Sequence, residues 1–285
     1  MDGEVAARIA LIVIAPLVVA LSTGVDRKIT ARMQNRRGPP VLQPFYDLLK
    51  LLSKRSLVLS DLQVVFAGAC LIFQAAAFAL FAAGGDLLVA FFVSSMGSAF
   101  LVLGAFSARS PYSYLGANRE LLALLAYEPV LFMVILAIGL EGSFLAAEVP
   151  TDLLTVLPLA LLALVPVLVI LLEKSPYDVA AAHQEVATGP YVEYSGPYLA
   201  VLTVARWYHL AFVYGIITLF VWSGDPLLDV PLKLGLAFAM LFVAVLIDNS
   251  TARLTRSRMV VTTLAVGTAL VALNLVALFL VRGVA

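Results

Sequence analysis

An all-α, polytopic membrane protein is the fold class this sequence predicts, and three observations predict it. Of 285 residues, 62% are hydrophobic and only 13% are charged, with a mean hydropathy of +1.04. A soluble chain of this length carries about 25% charge. Runs of about 20 apolar residues, enough to cross a bilayer as a helix, recur about eight times. Short polar connectors separate them. The expected spans are 5–23, 62–83, 87–107, 118–140, 152–172, 198–221, 232–249 and 259–281, within a single transmembrane domain over 1–285. No internal repeat is visible.

The first run has neither a basic start nor a small-residue cleavage pattern, so it reads as a permanent span rather than a signal peptide. The connector after it, 24–61, carries Arg27, Lys28, Arg32, Arg36, Arg37, Lys50, Lys54 and Arg55. Pro39-Pro40 interrupts the chain, and 43–55 then reads as an amphipathic helix. Phe45, Leu48, Leu49 and Leu52 follow the i, i+3, i+4, i+7 pattern, opposite Asp47, Lys50 and Lys54. Such a helix lies in the plane of the membrane interface.

Lysine and arginine set the orientation. The third connector holds Arg109 and Arg119, the fifth Lys174, and the seventh Arg253, Arg256 and Arg258; the even connectors offer only Lys233. The positive-inside rule then puts the odd connectors in the cytoplasm and both termini outside a cytoplasmic (inner) cell membrane. The lipid bilayer is the partner that the composition demands, and no nucleic-acid partner is expected.

Polar residues inside the spans need reasons, because a mid-bilayer charge costs several kcal/mol. Glu128 lies deep in the fourth span and Pro129 follows it. Arg206 and His209 lie one turn apart in the sixth. Glu128 and Arg206 are expected to pair, as structure or as part of a proton path. Gln74 and Asn274 are expected to make interhelical hydrogen bonds. Asp248, at a span end, is expected to be solvated. Pro158 and Pro166 interrupt the fifth span.

The connector 173–197 is unlike the others. It holds Glu173, Lys174, Asp178, His183, Glu185 and Glu193 between two apolar runs. Ser175 as cap, Pro176 at the first helical position and Asp178 as capping-box acid predict a helix over 176–188, ended by Gly189-Pro190. A polar linker is the bland alternative, but it does not account for an ordered, acid-rich helix. Cys70 is the only cysteine, so the chain has no internal disulfide and cannot itself ligate an iron–sulfur cluster. His183 and His209 are the only histidines, with no metal-ligand spacing.

Two motifs together resemble one family. The first runs from Asp26-Arg-Lys through Gln34-Asn-Arg36-Arg37-Gly-Pro39 to Leu42-Gln43, Asp47 and Lys50. It is similar to the first cytoplasmic connector of the complex I subunit that forms the quinone cavity. Pro176-Tyr-Asp178, Glu185 and Glu193-Tyr-Ser-Gly196 are similar to that family's P-F-D…E…E-Y-S-G connector. Arg119 to Glu128-Pro129 resembles its R…Y-E segment. The departures are specific. The arginine before P-F-D is missing, Ala181-Ala-His183-Gln-Glu185 replaces an acid-rich cluster, and Pro-Pro-Val-Leu-Gln shortens the first connector. These resemble the energy-converting branch, the membrane-bound group 4 nickel–iron hydrogenases, and count against a lined quinone cavity.

The resemblance implies a membrane-anchor and ion-translocation subunit that holds no redox centre. Iron–sulfur clusters and a nickel–iron centre belong, on that reading, to hydrogenase-like large and small soluble subunits docked on the cytoplasmic side. Antiporter-like membrane subunits pack beside the chain. Glu128, Glu173, Asp178, Glu185 and Glu193, with Arg206 and His209, are the expected proton-handling residues. Asp26, Arg27, Lys28, Gln34, Arg36, Arg37, Asp47 and Lys50 are the expected docking residues. Two other readings remain: a quinone-binding subunit of a complex I-type NADH dehydrogenase, and a stand-alone secondary ion transporter.

Overall fold

A computed structural model describes residues 2–56, 60–179, 185 and 187–284, with the side chains of all of these except 2–5, 226 and 281–284. Among the described residues there are ten α-helices and no strand. They are α1 (Asp2–Met33), α2 (Gln43–Ser53), α3 (Asp61–Ala82), α4 (Leu87–Ser107), α5 (Pro111–Glu141), α6 (Leu153–Val156), α7 (Pro158–Leu171), α8 (Gly196–Thr218), α9 (Pro226–Ser250) and α10 (Arg256–Val284), with a 3-10 turn at Gly189–Tyr191 between α7 and α8. Seven of them, α1, α3, α4, α5, α8, α9 and α10, are long and apolar enough to cross a membrane.

The fifth expected span, 152–172, is broken. Helix α7 has 14 residues, roughly 21 Å against the ~30 Å of a hydrocarbon core. Proline has no N–H to give, and it disfavours helical geometry in the residue before it. Leu157 accordingly leaves the helix at ψ 45°, and α7 starts at Pro158. A break at membrane depth frees backbone groups that must find partners. Asn274 of α10 supplies both: its Oδ1 accepts from the Leu159 N–H at 2.8 Å, and its Nδ2 donates to the Val156 carbonyl at 2.8 Å. Gln74 likewise ties α3 to α4, donating to the Ser94 carbonyl at 3.0 Å and accepting from Ser94 Oγ at 2.8 Å. Both side chains were expected to bridge helices, and both do.

Helix α1 does not stop at 23. It runs on to Met33, so residues 24–33 of the expected connector are helical. Only Gly24 in this stretch disfavours helix, and the Ser22 and Thr23 hydroxyls turn back onto the Val19 and Ala20 carbonyls. The amphipathic helix is present as α2. Phe45 packs on Trp207 of α8, with ring centroids 6.0 Å apart, while Leu49 and Leu52 stay exposed on its outer edge.

The core is the inner faces of α5, α7 and α8, closed by α4, α9 and α10. The ends of the bundle separate the even connectors from the odd ones. At one end Gly85 and Leu87 bond to Ala146 and Phe144, joining the second connector to the fourth. At the other end the first, third, fifth and seventh connectors or their helix margins are tied by two sets of ion pairs, Lys174 with Asp26 and Asp248, and Arg119 and Arg253 with Glu185 and Asp178.

Candidate functional site

A cavity of about 50 Å³ opens inside that second end. Helical spacing builds its walls. Glu120, Ala123 and Tyr127 of α5 stand at i, i+3 and i+7; Leu202, Ala205, Arg206 and His209 of α8 at i, i+3, i+4 and i+7; Cys70 and Gln74 of α3 at i and i+4. Glu173, Tyr177 and Asp178 close it from the connector, with Tyr191 of the 3-10 turn. That turn approaches α5 closely because Gly116 has no side chain: a Cβ there would collide with the Gly189 and Pro190 backbone. The volume has room for a few water molecules, and its walls alternate carboxylate, guanidinium, imidazole and phenol.

Glu173 and Arg206 form the charged floor. Arg206 Nη1 lies 3.0 Å from Glu173 Oε2, and its Nη2 donates to the Leu171 carbonyl at 3.1 Å. Glu120 faces both charges. His209 lies deeper, its ring centroid 6.0 Å from that of Tyr127. Glu120 was not among the expected site residues. It sits at the margin of the expected span 118–140, where a charge reads as solvated. The helix starts seven residues earlier, at Pro111, and carries Glu120 inside.

The expected Glu128–Arg206 pair is absent. Eight residues along a helix is about two turns plus roughly 80° of rotation, so Glu128 turns away from the cavity that Glu120 faces. Its hydrogen-bond partner is Ser95 of α4. Arg206 is taken by Glu173 instead.

Above the cavity, two arginines hold the connector. Arg253 grips Asp178 in two parallel bonds, Nε donating to Oδ1 at 2.8 Å and Nη2 to Oδ2. Arg119, 4% exposed, bonds Glu185 through Nη2 and donates to the Val179 carbonyl through Nη1 at 3.3 Å. The Arg119 hydrogen bond and charge, with smaller help from Arg253, hold the Glu185 carboxyl below its usual range. Burial pushes the Tyr191 phenol well above its usual range. The expected capping box is not formed: Ser175 Oγ donates to the Thr251 carbonyl, residues 176–179 are turns, and Asp178 serves Arg253 rather than a helix N-terminus. His183 and residues 180–182, 184 and 186 of the expected 176–188 helix lie outside the described residues. Glu193 is half-buried and does not line the cavity.

Lys174 is buried at 8% exposure, 2.8 Å from Asp26 Oδ1 and 3.0 Å from Asp248 Oδ2. Asp248, expected to be solvated, is half-buried and turned onto Lys174, and Asp26, one of the expected docking residues, is buried against the same lysine. The other expected docking residues are where a partner can reach them. Arg27, Lys28, Gln34, Arg36, Arg37 and Lys50 are exposed, Arg27 bonds Asp47 at 3.0 Å, and Gln34 donates to Asn249 at 3.3 Å. Among the described residues no three His, Cys, Asp or Glu side chains gather as metal ligands.

The family pattern described as NADH dehydrogenase matches residues 6–280. The chain is 32% identical over 216 residues to hydrogenase-4 component C of Escherichia coli K12, covering 68% of this chain and 67% of that one. It is 31% identical over 207 residues to formate hydrogenlyase subunit 4 of the same organism, covering 65% and 66%. It is also 31% identical over 258 residues to NADH-ubiquinone oxidoreductase chain 1 of Chlamydomonas reinhardtii, covering 79% and 84%. A chain of the membrane-bound sulfane sulfur reductase, an archaeal respiratory membrane complex, has the same fold. Its TM-score is 0.83 at 24% identity, over 97% of this chain and 99% of that chain.

Proposed function

The chain belongs to the NADH dehydrogenase subunit 1 family, and from that premise we propose that it anchors an energy-converting, hydrogenase-like respiratory complex and carries ions for it. In this reading the exposed basic face of α1 and the 34–42 loop docks soluble iron–sulfur and nickel–iron subunits. Antiporter-like membrane subunits pack against the lipid-facing helices. The redox state of the docked module biases protonation of the cavity carboxylates, and charge moves inward through the membrane as protons, or is exchanged for sodium ions farther on.

The observation that carries this reading is the cavity. It joins Glu120, Glu173, Arg206 and His209 beneath the connector that faces the docking side. Carboxylates in a poorly solvated site respond to nearby charge, and coupled acids titrate as a group. A fixed guanidinium between Glu120 and Glu173 decides which of them stays ionised. Glu128, in the middle of α5 and turned toward Ser95, is assigned the later, intramembrane step. Asp178 and Glu185 sit at the entrance, where Arg253 and Arg119 hold them. The missing arginine and acids of the 173–197 connector place the hydrogenase-like reading ahead of the quinone-reducing one.

Purification in mild detergent tests the assignment. A complex subunit brings iron–sulfur partners, seen by their visible absorption and by electron paramagnetic resonance. A chain that purifies alone, folded and still transporting ions, is a secondary transporter and overturns the proposal.

A further inference from the structure

The connector leaves α7 through a motif that breaks two local rules at adjacent residues. The Glu173 N–H bonds the Ile170 carbonyl at 2.9 Å and the Lys174 N–H bonds the Val169 carbonyl at 3.1 Å. This is the Schellman pattern of helix ends. Its left-handed position normally takes glycine, because a Cβ is disfavoured there. Here it is Glu173, at φ 54°. The next position normally makes an apolar contact back onto the helix. Here it is Lys174, buried and charged between Asp26 of α1 and Asp248 of α9. Asp248 also accepts from the Ser175 N–H at 3.0 Å. One peptide unit therefore sends two charged side chains to opposite sides, Glu173 into the cavity against Arg206 and Lys174 into the seam between α1 and α9.

From this geometry we infer that Lys174 is a positioning residue: held by Asp26 and Asp248, it fixes the left-handed turn that aims the Glu173 carboxylate at Arg206. The inference rests on the reading of Glu173 as an ion-handling group. A left-handed glutamate persists only where its surroundings over-determine it. The Schellman bonds exist for glycine as well, so they do not by themselves hold a glutamate there. The two buried ion pairs and the Asp248–Ser175 bond act just after the turn, on both the side chain and the backbone. Removing the lysine charge releases that grip and leaves Asp26 and Asp248 facing each other.

The test is a double-mutant cycle read as charge moved per electron, in sealed vesicles that hold equal amounts of the assembled complex. The variants are Glu173→Gln, Lys174→Met and the two combined. We expect Glu173→Gln and Lys174→Met each to lose most of the ratio, because a reacting group displaced by about 1 Å can lose about a hundredfold in rate. The double variant is expected to be no worse than Glu173→Gln, because Lys174 acts only through Glu173. Lys174→Arg, which keeps both ion pairs, should recover the ratio. If Lys174→Met fails to assemble, Lys174→Met with Asp248→Asn removes one charge of each sign and takes its place in the cycle. A normal ratio in Lys174→Met, or a further fall in the double variant, overturns the positioning role. A normal ratio in Glu173→Gln overturns the cavity reading itself, and the positioning role with it.

Discussion

Replacing Asn274 by leucine removes both partners of a helix break at one stroke. The side chain is 4% exposed and bridges Leu159 N–H and Val156 C=O at 2.8 Å each. Both bonds are half-buried, and among the described residues no other hydrogen bond replaces them at the break. An orphaned buried polar group costs about 1–3 kcal/mol, so two give at most ~6 kcal/mol. Interhelical hydrogen bonds measured in membranes are weaker, mostly under ~2 kcal/mol each, because the unfolded chain also finds partners. A loss of about 2–4 kcal/mol is the expected outcome. The assay is thermal unfolding in detergent with a fluorescent thiol probe for Cys70, which is buried in the folded chain. Leu273→Ala, one residue away and 59% exposed to lipid, serves as the control and should change stability by less than about 0.5 kcal/mol. If Asn274→Leu is as mild as that control, the break is held by something other than Asn274, and the account of α6 and α7 is wrong.

Three further predictions follow from the same geometry. Cysteine labelling from outside should miss Ser53→Cys and reach Gly224→Cys, both exposed; the reverse pattern inverts the topology. Arg36→Glu with Arg37→Glu should strip iron–sulfur subunits from membranes that still hold this chain, since electrostatic complementarity guides such docking, and an intact complex would refute the docking face. The Glu185 tether has a pH signature. Its folded carboxyl lies below the usual value of 4.5, chiefly through the Arg119 hydrogen bond, so its contribution is fully present above that value and is lost as pH falls through the lower folded one. Proteolysis within 173–196 should therefore stay slow from pH 8 to 5 and rise only in stronger acid, whereas Glu185→Gln should be cut readily at pH 7. Identical pH profiles for the two would show that the tether does not hold the connector.

The apolar runs made the spans legible, because lipid leaves a helix no other way to satisfy its backbone. Pro158 and Pro166 both marked the fifth span as interrupted, but the apolar runs did not tell that the helix ends before Pro158 and runs on through Pro166, since the same apolar residues surround an intact and an interrupted helix. The clue was Asn274, a lone amide in a lipid-facing run. The connector at 173–197 was legible as special by its acids, but its local form was not. Ser175, Pro176 and Asp178 make a credible helix start until tertiary partners claim them, Thr251 for Ser175 and Arg253 for Asp178. The charges were read best where they are exposed, as at Arg36 and Arg37, and worst where the fold buries them. Asp26 and Asp248 lie far apart in sequence and meet only because Lys174 is drawn between α1 and α9. Glu120 was hidden by a span boundary drawn seven residues too late. Its i, i+7 relation to Tyr127 was the available signal.

The central claim is that the cavity carboxylates move charge for a redox module docked on this chain, and Glu120→Gln tests it most directly. The amide keeps the hydrogen-bonding shape and removes the titration. The measurement is charge translocated per electron transferred, in sealed vesicles with equal complex content, wild type beside Glu120→Gln and Glu128→Gln. The account predicts a large fall in the ratio for both variants, with electron transfer itself serving only as the denominator. An unchanged ratio for Glu128→Gln would remove the intramembrane step assigned to it. An unchanged ratio for Glu120→Gln would contradict the claim that this cavity carries the ions.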